Sequence, residues 1–163
     1  MKLVGHLADG GRDDPPLVMV DVDAYNVLAV LRAKYWGLSA QETSDLIVTT
    51  TTKINRDTLQ RMMNVEKIQE AIGELANTSY RDLVPKNAAD DIDAIMQIEQ
   101  GFERESLRRI MASYRNVFTL GNMLASLKLI NFEIRNLAAI ATGVEQRIPA
   151  DKIMSSLVIT GPQ

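Results

Sequence analysis

The chain has 163 residues, of which 46% are hydrophobic and 24% charged, with a formal charge of −3 from 18 basic and 21 acidic side chains. It contains no cysteine and one histidine, His6, so disulfides and thiolate metal sites are excluded. A chain this long buries roughly 70% of its unfolded surface without covalent staples, as one domain or two small ones sharing a core, and its near-balanced charge argues against electrostatic capture of nucleic acid.

No run of about 18 apolar residues occurs, so any membrane contact is expected to be indirect, through other proteins. Met1 to Gly10 lacks a basic flank ahead of a long apolar stretch and does not read as a secretory signal. The lack of cysteine favours a cytoplasmic setting. With few glycines, few prolines and only one β-branched cluster, at Thr49 to Thr52, the composition points to an all-α fold.

Residues 1–20 read as a flexible lead-in, because GHLADGGRDDPP (5–16) opposes regular structure, with the apolar run Leu17 to Val20 leading into the first helix. Asp21 or Asp23 is expected to cap that helix, with Val27, Leu28, Val30, Leu31 and Tyr35 as its apolar face and Gly37 as its stop. Ser39-Ala-Gln-Glu42 has capping-box spacing and predicts a short helix towards Val48. Thr49 to Asn55 reads as a connection, Arg56 to Met63 as a helix, and Asn64 as a junction. Val65, Ile68, Ile72 and Leu75 then repeat at helical spacing up to Ala76. Thr78 to Pro85 reads as a loop anchored by Tyr80 and Leu83.

Two long helices follow. In the first, over 88–115, Ile92, Ile95, Met96, Phe102, Ile110 and Met111 alternate with charge; a break falls near Phe118. In the second, from Thr119 to Thr142, Leu120, Met123, Leu124, Leu127, Ile130, Ile134, Leu137 and Ala141 recur every three or four residues over about 35 Å. Only Lys128, Glu133 and Arg135 interrupt it, so most of it is expected to be buried. Gly143 is expected to end it, and Pro149 to start a last short helix reaching Val158. The helical domain is thus expected over 21–163, with modules at about 21–63 and 119–159 joined by helices at about 65–76 and 88–115.

The chain repeats itself. Tyr25 to Val48 aligns without gaps on Arg135 to Val158 at an offset of 110: Asn26 meets Asn136, Ala29 meets Ala139, Leu38 meets Ile148, and Ser39 meets Pro149. Each copy is a long helix, a glycine-terminated turn and a short helix. The spacing exceeds the short periods of helical solenoids and suggests a duplicated domain.

Asn26 to Ile47 and Phe132 to Ile153, with Asn64 to Val84 between them, resemble the C subunit of archaeal and bacterial A/V-type ATP synthases, the relative of the d subunit of the vacuolar ATPase. The likeness runs from about Asp21 to Ile159 and corresponds to the second half of that protein. It implies an all-helical fold built from three modules arranged as a funnel. It further implies a non-catalytic central-stalk role, with stalk subunits and the membrane proteolipid ring as partners, at the cytoplasmic face of the membrane. The positions it marks are Asn26, Arg32, Gly37, Glu133, Arg135, Asn136 and Gly143. The chain departs from the family at Arg147, where glycine is usual, and at Thr142 and Val144, where basic residues are. At about half a family member's length it lacks the first module and part of the second, which leaves room for a homo-oligomer formed through exposed apolar surface.

Catalytic signatures are missing. There is no Gly-x-x-x-x-Gly-Lys-Ser/Thr loop, no second histidine to share a metal, and no nucleophile beside a base, so neither cofactor nor enzymatic activity is expected. Asp13-Asp14 and Asp90-Asp91 read as turn or cap residues. Glu133, Arg135 and Asn136 mark an exposed stripe or bond to neighbouring modules; a sharper reading has Glu133 or Arg135 hold two modules together as a buried pair, with Asn136, like Asn26, bonding a helix end. Trp36 reads as a packing anchor, or as an interface residue if exposed. Two rival functions are an unrelated helical scaffold or regulatory module, and a nucleic-acid binder using Arg104, Arg108 and Arg109, although Glu103 and Glu105 interleave those arginines.

Overall fold

The computed structural model describes residues 17–50, 52–113 and 120–159. Every regular element among them is helical: α1 (Leu17–Tyr35), α2 (Ala40–Leu46), α3 (Arg56–Asn64), α4 (Ile68–Gly73), 3-10 turns at Glu74–Asn77 and Arg81–Leu83, α5 (Asp91–Ser113), α6 (Leu120–Glu145) and α7 (Ala150–Ser156). None of these helices is long and apolar enough to cross a membrane. His6, Asp13-Asp14 and the expected break near Phe118 lie outside the described residues.

The chain divides into two compact units, Met1–Phe102 and Glu103–Gln163. In the first, α1 packs against α2, α3 and α4. Its apolar face, Val20, Val27, Val30 and Leu31, is fully buried with Ile54, Leu59, Met62, Ile72, Leu75, Ile98 and Phe102. Burial of each such side chain contributes about 1.5–3 kcal/mol, so this core holds the unit together. Tyr80 closes the loop after α4 onto it, its ring tilted against Phe102 at a centroid distance of 4.9 Å.

Local sequence explains the helix ends. Ser39 accepts from the Glu42 amide at 3.3 Å while Glu42 accepts from the Ser39 amide at 2.9 Å, a closed capping box that starts α2. Asn55 caps α3 by accepting from the Thr58 amide, and Asp90 caps α5 by accepting from the Asp93 amide. The start of α1 differs from expectation: the helix begins at Leu17, which puts Asp21 and Asp23 inside it. Neither acts as its cap, because Asp23 is fully buried and bonded to other segments.

In the second unit, α6 packs on α7. Two expectations are corrected here. Gly143 does not end α6, which continues to Glu145; the left-handed residue closing the helix is Arg147, at φ 55°. Gly143 is instead buried beneath Ile153, and a Cβ placed on it would stand 2.6 Å from that side chain. Nor is α6 mostly buried: Met123, Leu127, Ile130, Ile134, Leu137 and Val144 are each more than half exposed. Its apolar periodicity identifies a face, and nothing among the described residues covers that face. Of the two readings of Glu133 and Arg135, the exposed stripe fits and the buried pair does not: Glu133 is exposed, and Arg135, itself 57% exposed, bonds Glu103 at 2.5 Å.

Candidate interaction surfaces

The two long-helix to short-helix joints are built alike, bond for bond. At the end of α1 the Gly37 amide donates to Lys34 O at 3.0 Å and the Leu38 amide to Ala33 O at 2.9 Å. At the end of α6 the Arg147 amide donates to Val144 O at 3.1 Å and the Ile148 amide to Gly143 O at 2.8 Å. This double closure needs a left-handed residue, supplied by Gly37 at φ 74° in one copy and by Arg147 in the other, where an L side chain is strained.

An asparagine then clasps the returning chain. Asn26 Nδ2 donates to Val48 O at 3.0 Å, and the Val48 amide donates to Asn26 Oδ1 at 2.9 Å. Asn136 repeats this on Val158, at 2.8 and 3.0 Å. A carboxamide presents one acceptor and one donor side by side, so it satisfies both backbone groups of one residue just beyond the short helix. Asn26 is buried and Asn136 half-buried.

Ala33 and Thr43, which occupy the α1 and α2 positions equivalent to Gly143 and Ile153, are both buried. The first joint has a methyl on the long helix and a small β-branched residue on the short one. The second removes the methyl and enlarges the facing side chain. The exchange conserves volume, the kind of change packed interiors tolerate best.

Above the clasp the two copies part. Asp23 is fully buried and accepts from the Tyr80 hydroxyl at 2.7 Å, the Ile54 amide at 3.1 Å and the Lys53 amide at 3.2 Å, pinning the connection before α3 and the loop after α4 onto α1. Its equivalent, Glu133, is exposed. Lys34 donates to Met63 O at 2.9 Å and also to Val65 O, closing the end of α3; burial lowers its pKa, partly offset by Glu70. Its equivalent is Val144, which has no charge to place. Local pattern does not reveal these roles of Asp23 and Lys34, although reading the offset of 110 through to positions 23 and 34 flags both as copy-specific.

Arg32 bonds Glu99 at 2.8 Å in a partly exposed pair, and such pairs contribute about 0–1 kcal/mol. Trp36 is not a packing anchor: it is 69% exposed and borders a groove of about 310 Å³ with Tyr25, Leu28, Arg32 and Leu46. Tyr25, Tyr35 and Leu46 are also about half exposed, so the end of α1 carries an aromatic, apolar surface next to a cation, the composition of an interface centre. A second cavity of about 450 Å³ lies between α2 and α3, lined by polar groups such as Gln41, Ser44, Arg56 and Gln60 around Ile47 and Leu59.

No cluster of His, Asp or Glu among the described residues could hold a metal ion. Arg108 and Arg109 are engaged by Glu105, at 2.5 and 2.6 Å. Burial pushes the Glu105 carboxyl up, but hydrogen bonds from both arginines outweigh it and hold the pKa below its ordinary value. One carboxylate thus offsets half of the positive charge at these two positions of the strip expected of a nucleic-acid binder.

Curated relatives include the C subunit of the A-type ATP synthase of Pyrococcus horikoshii, 28% identical over 136 residues, which cover 81% of this chain and 36% of that protein. The Pyrococcus abyssi protein of the same name is 29% identical over 135 residues, with the same coverage. The one from Methanocaldococcus jannaschii is 24% identical over 140 residues, covering 84% of this chain and 35% of its own length. The matched region thus spans about a third of the curated relatives' length. No solved structure matches the chain. The family description "ATP synthase (C/AC39) subunit" fits residues 13–156, nearly the whole of the described helical structure, and the chain belongs to that family.

Proposed function

We propose that this chain is a non-catalytic central-stalk element of an A/V-type rotary ATPase, linking the stalk to the membrane proteolipid ring during ion-driven ATP synthesis or ATP-driven ion transport. The observation that carries this reading is the family match over residues 13–156. The fold supports it physically. A part that transmits torque must be stiff, and each long helix here is locked to its short helix by a hydrogen-bonded left-handed turn and an asparagine clasp. On this reading the chain works at the cytoplasmic face of the membrane and touches the bilayer only through other proteins of the complex. The Trp36 groove is the docking surface for one of them.

The test is capture of stalk and ring proteins from native membranes by the tagged chain, read by mass spectrometry. Recovery of both classes is the expected result, with Trp36→Ala reducing capture at unchanged helicity. Recovery of neither by a folded chain rejects the coupling role. Unchanged capture by Trp36→Ala rejects the groove as the docking surface.

A further inference from the structure

The exposed apolar residues of α6 are not scattered. Met123, Leu127, Ile130, Ile134, Leu137, Ala141 and Val144 follow one another at spacings of 4, 3, 4, 3, 4 and 3. That is an unbroken 3.5-residue repeat over three heptads, the spacing that keeps a seam facing a second helix along its whole length. The large members are 52–67% exposed, so no described residue fills the seam. The polar residues of α6 that make contacts lie off it: Lys128 bonds Ser106, Arg135 bonds Glu103, and Asn136 clasps Val158.

The surroundings of the seam narrow the choice of occupant. The positions flanking it are Leu124, Ser126, Asn131, Glu133, Ala138, Ile140 and Glu145, with only two charges among seven residues. A foreign partner selected by charge would be read by a pattern of flanking charges, and this seam has almost none. What it offers is length, periodicity and apolar surface, and another α6 matches all three. Seven large side chains here, Ile140 at 39% being the least exposed, present on the order of 600 Å² of apolar surface. That equals or exceeds the largest patch typical of a monomer, and sits at the lower end of what each partner gives to a specific two-body interface.

We propose that the α6 seam is a self-association surface, through which two copies of this chain pair helix to helix. The pairing is of moderate affinity, as its area implies, and does not depend on the rotary assignment. The test is sedimentation equilibrium of the full chain over a wide concentration range, without other proteins. The expected result is a mass rising from 18.1 kDa to twice that value. Ile134→Glu and Leu137→Glu, both at exposed positions, should raise the midpoint concentration at least tenfold with an unchanged circular dichroism spectrum. Leu46→Glu, in the Trp36 groove, should leave the midpoint unchanged. Because the native chain has no cysteine, Ile134→Cys adds a single thiol, which should form a disulfide-linked dimer on oxidation while Glu66→Cys does not. A monomer at every concentration overturns the proposal. So does open-ended association, or a dimer that survives both α6 substitutions or is lost with Leu46→Glu.

Discussion

Val20, Val27 and Val30 of α1 are fully buried, whereas their repeat equivalents on α6, Ile130, Leu137 and Ile140, are 52%, 66% and 39% exposed. The helices share a joint, a clasp and an apolar face, and differ in what lies over that face. In the first copy α3, α4 and the loop after them cover it, held by Asp23, Tyr80 and Lys34. In the second, no described residue plays those parts. Hairpin geometry is therefore written into each copy separately, and burial is supplied from outside the hairpin.

Substitution of matched residues tests that contrast directly. The largest difference is expected between Asp23→Ala and Glu133→Ala. The first strands a buried tyrosine hydroxyl and two buried or half-buried amides and should cost about 3 kcal/mol in urea unfolding. The second should stay within about 0.5 kcal/mol of the native chain. Equal effects would mean that the acid at this position has one role in both copies.

Next come the clasps. Asn26→Ala should cost about 2 kcal/mol and Asn136→Ala about 1 kcal/mol, because the same two bonds are lost from a buried and from a half-buried site. If Asn136→Ala leaves thermal stability unchanged, the second clasp contributes nothing to the fold.

The joint offers a finer test. Gly143→Ala should cost about 1–2 kcal/mol by forcing its methyl into Ile153. Adding Ile153→Thr recreates the Ala33–Thr43 pairing and should recover most of that loss. Additive effects in the double mutant would show that the two positions are not exchanging volume.

Backbone strain gives a smaller, opposite-signed pair. Arg147→Gly should stabilise the second joint by up to about 1 kcal/mol and Gly37→Ala should destabilise the first by a similar amount, both read by thermal melting.

The smallest difference concerns pH. Hydrogen bonds from Ser39 hold the Glu42 pKa below its ordinary value, whereas Pro149, at the start of α7, offers no side-chain cap. A carboxyl depressed in the folded state stabilises it above the unfolded value, about 4.3, and that contribution is lost as pH falls through the lower folded value. The protection of α2 amides relative to their intrinsic exchange rates should therefore fall over that acid range in the native chain and lose this dependence in Glu42→Gln.

The helices are legible in the sequence because their signals are local. The capping box at Ser39, the spacing of Val27, Val30 and Leu31, and the offset linking Asn26 to Asn136 all operate within a few turns or by plain alignment. Burial of α6 is not legible, for a reason of principle. The three- and four-residue spacing of Leu127, Ile130, Ile134 and Leu137 reports an apolar face and does not tell whether the rest of this chain packs there. Gly143 misleads in a similar way. A glycine near a helix end resembles a stop, but its role here is set by Ile153, ten residues on and one turn of chain away. Asp23 resembles a cap only while Leu17 to Val20 is read as leader and not as helix. Its true partners lie 30 to 57 residues away, beyond the reach of local pattern.

The clasp also has a bearing on how the molecule folds. Each asparagine closes a loop of 22 residues, most of it already helical, while Asp23 reaches Tyr80 across 57 residues and Arg32 reaches Glu99 across 67. Nearby contacts form before distant ones because less chain entropy must be lost to make them. Each hairpin can therefore close on its own, early and without the core that later covers it. That independence is what lets the second hairpin keep the shape of the first while its apolar face stands open.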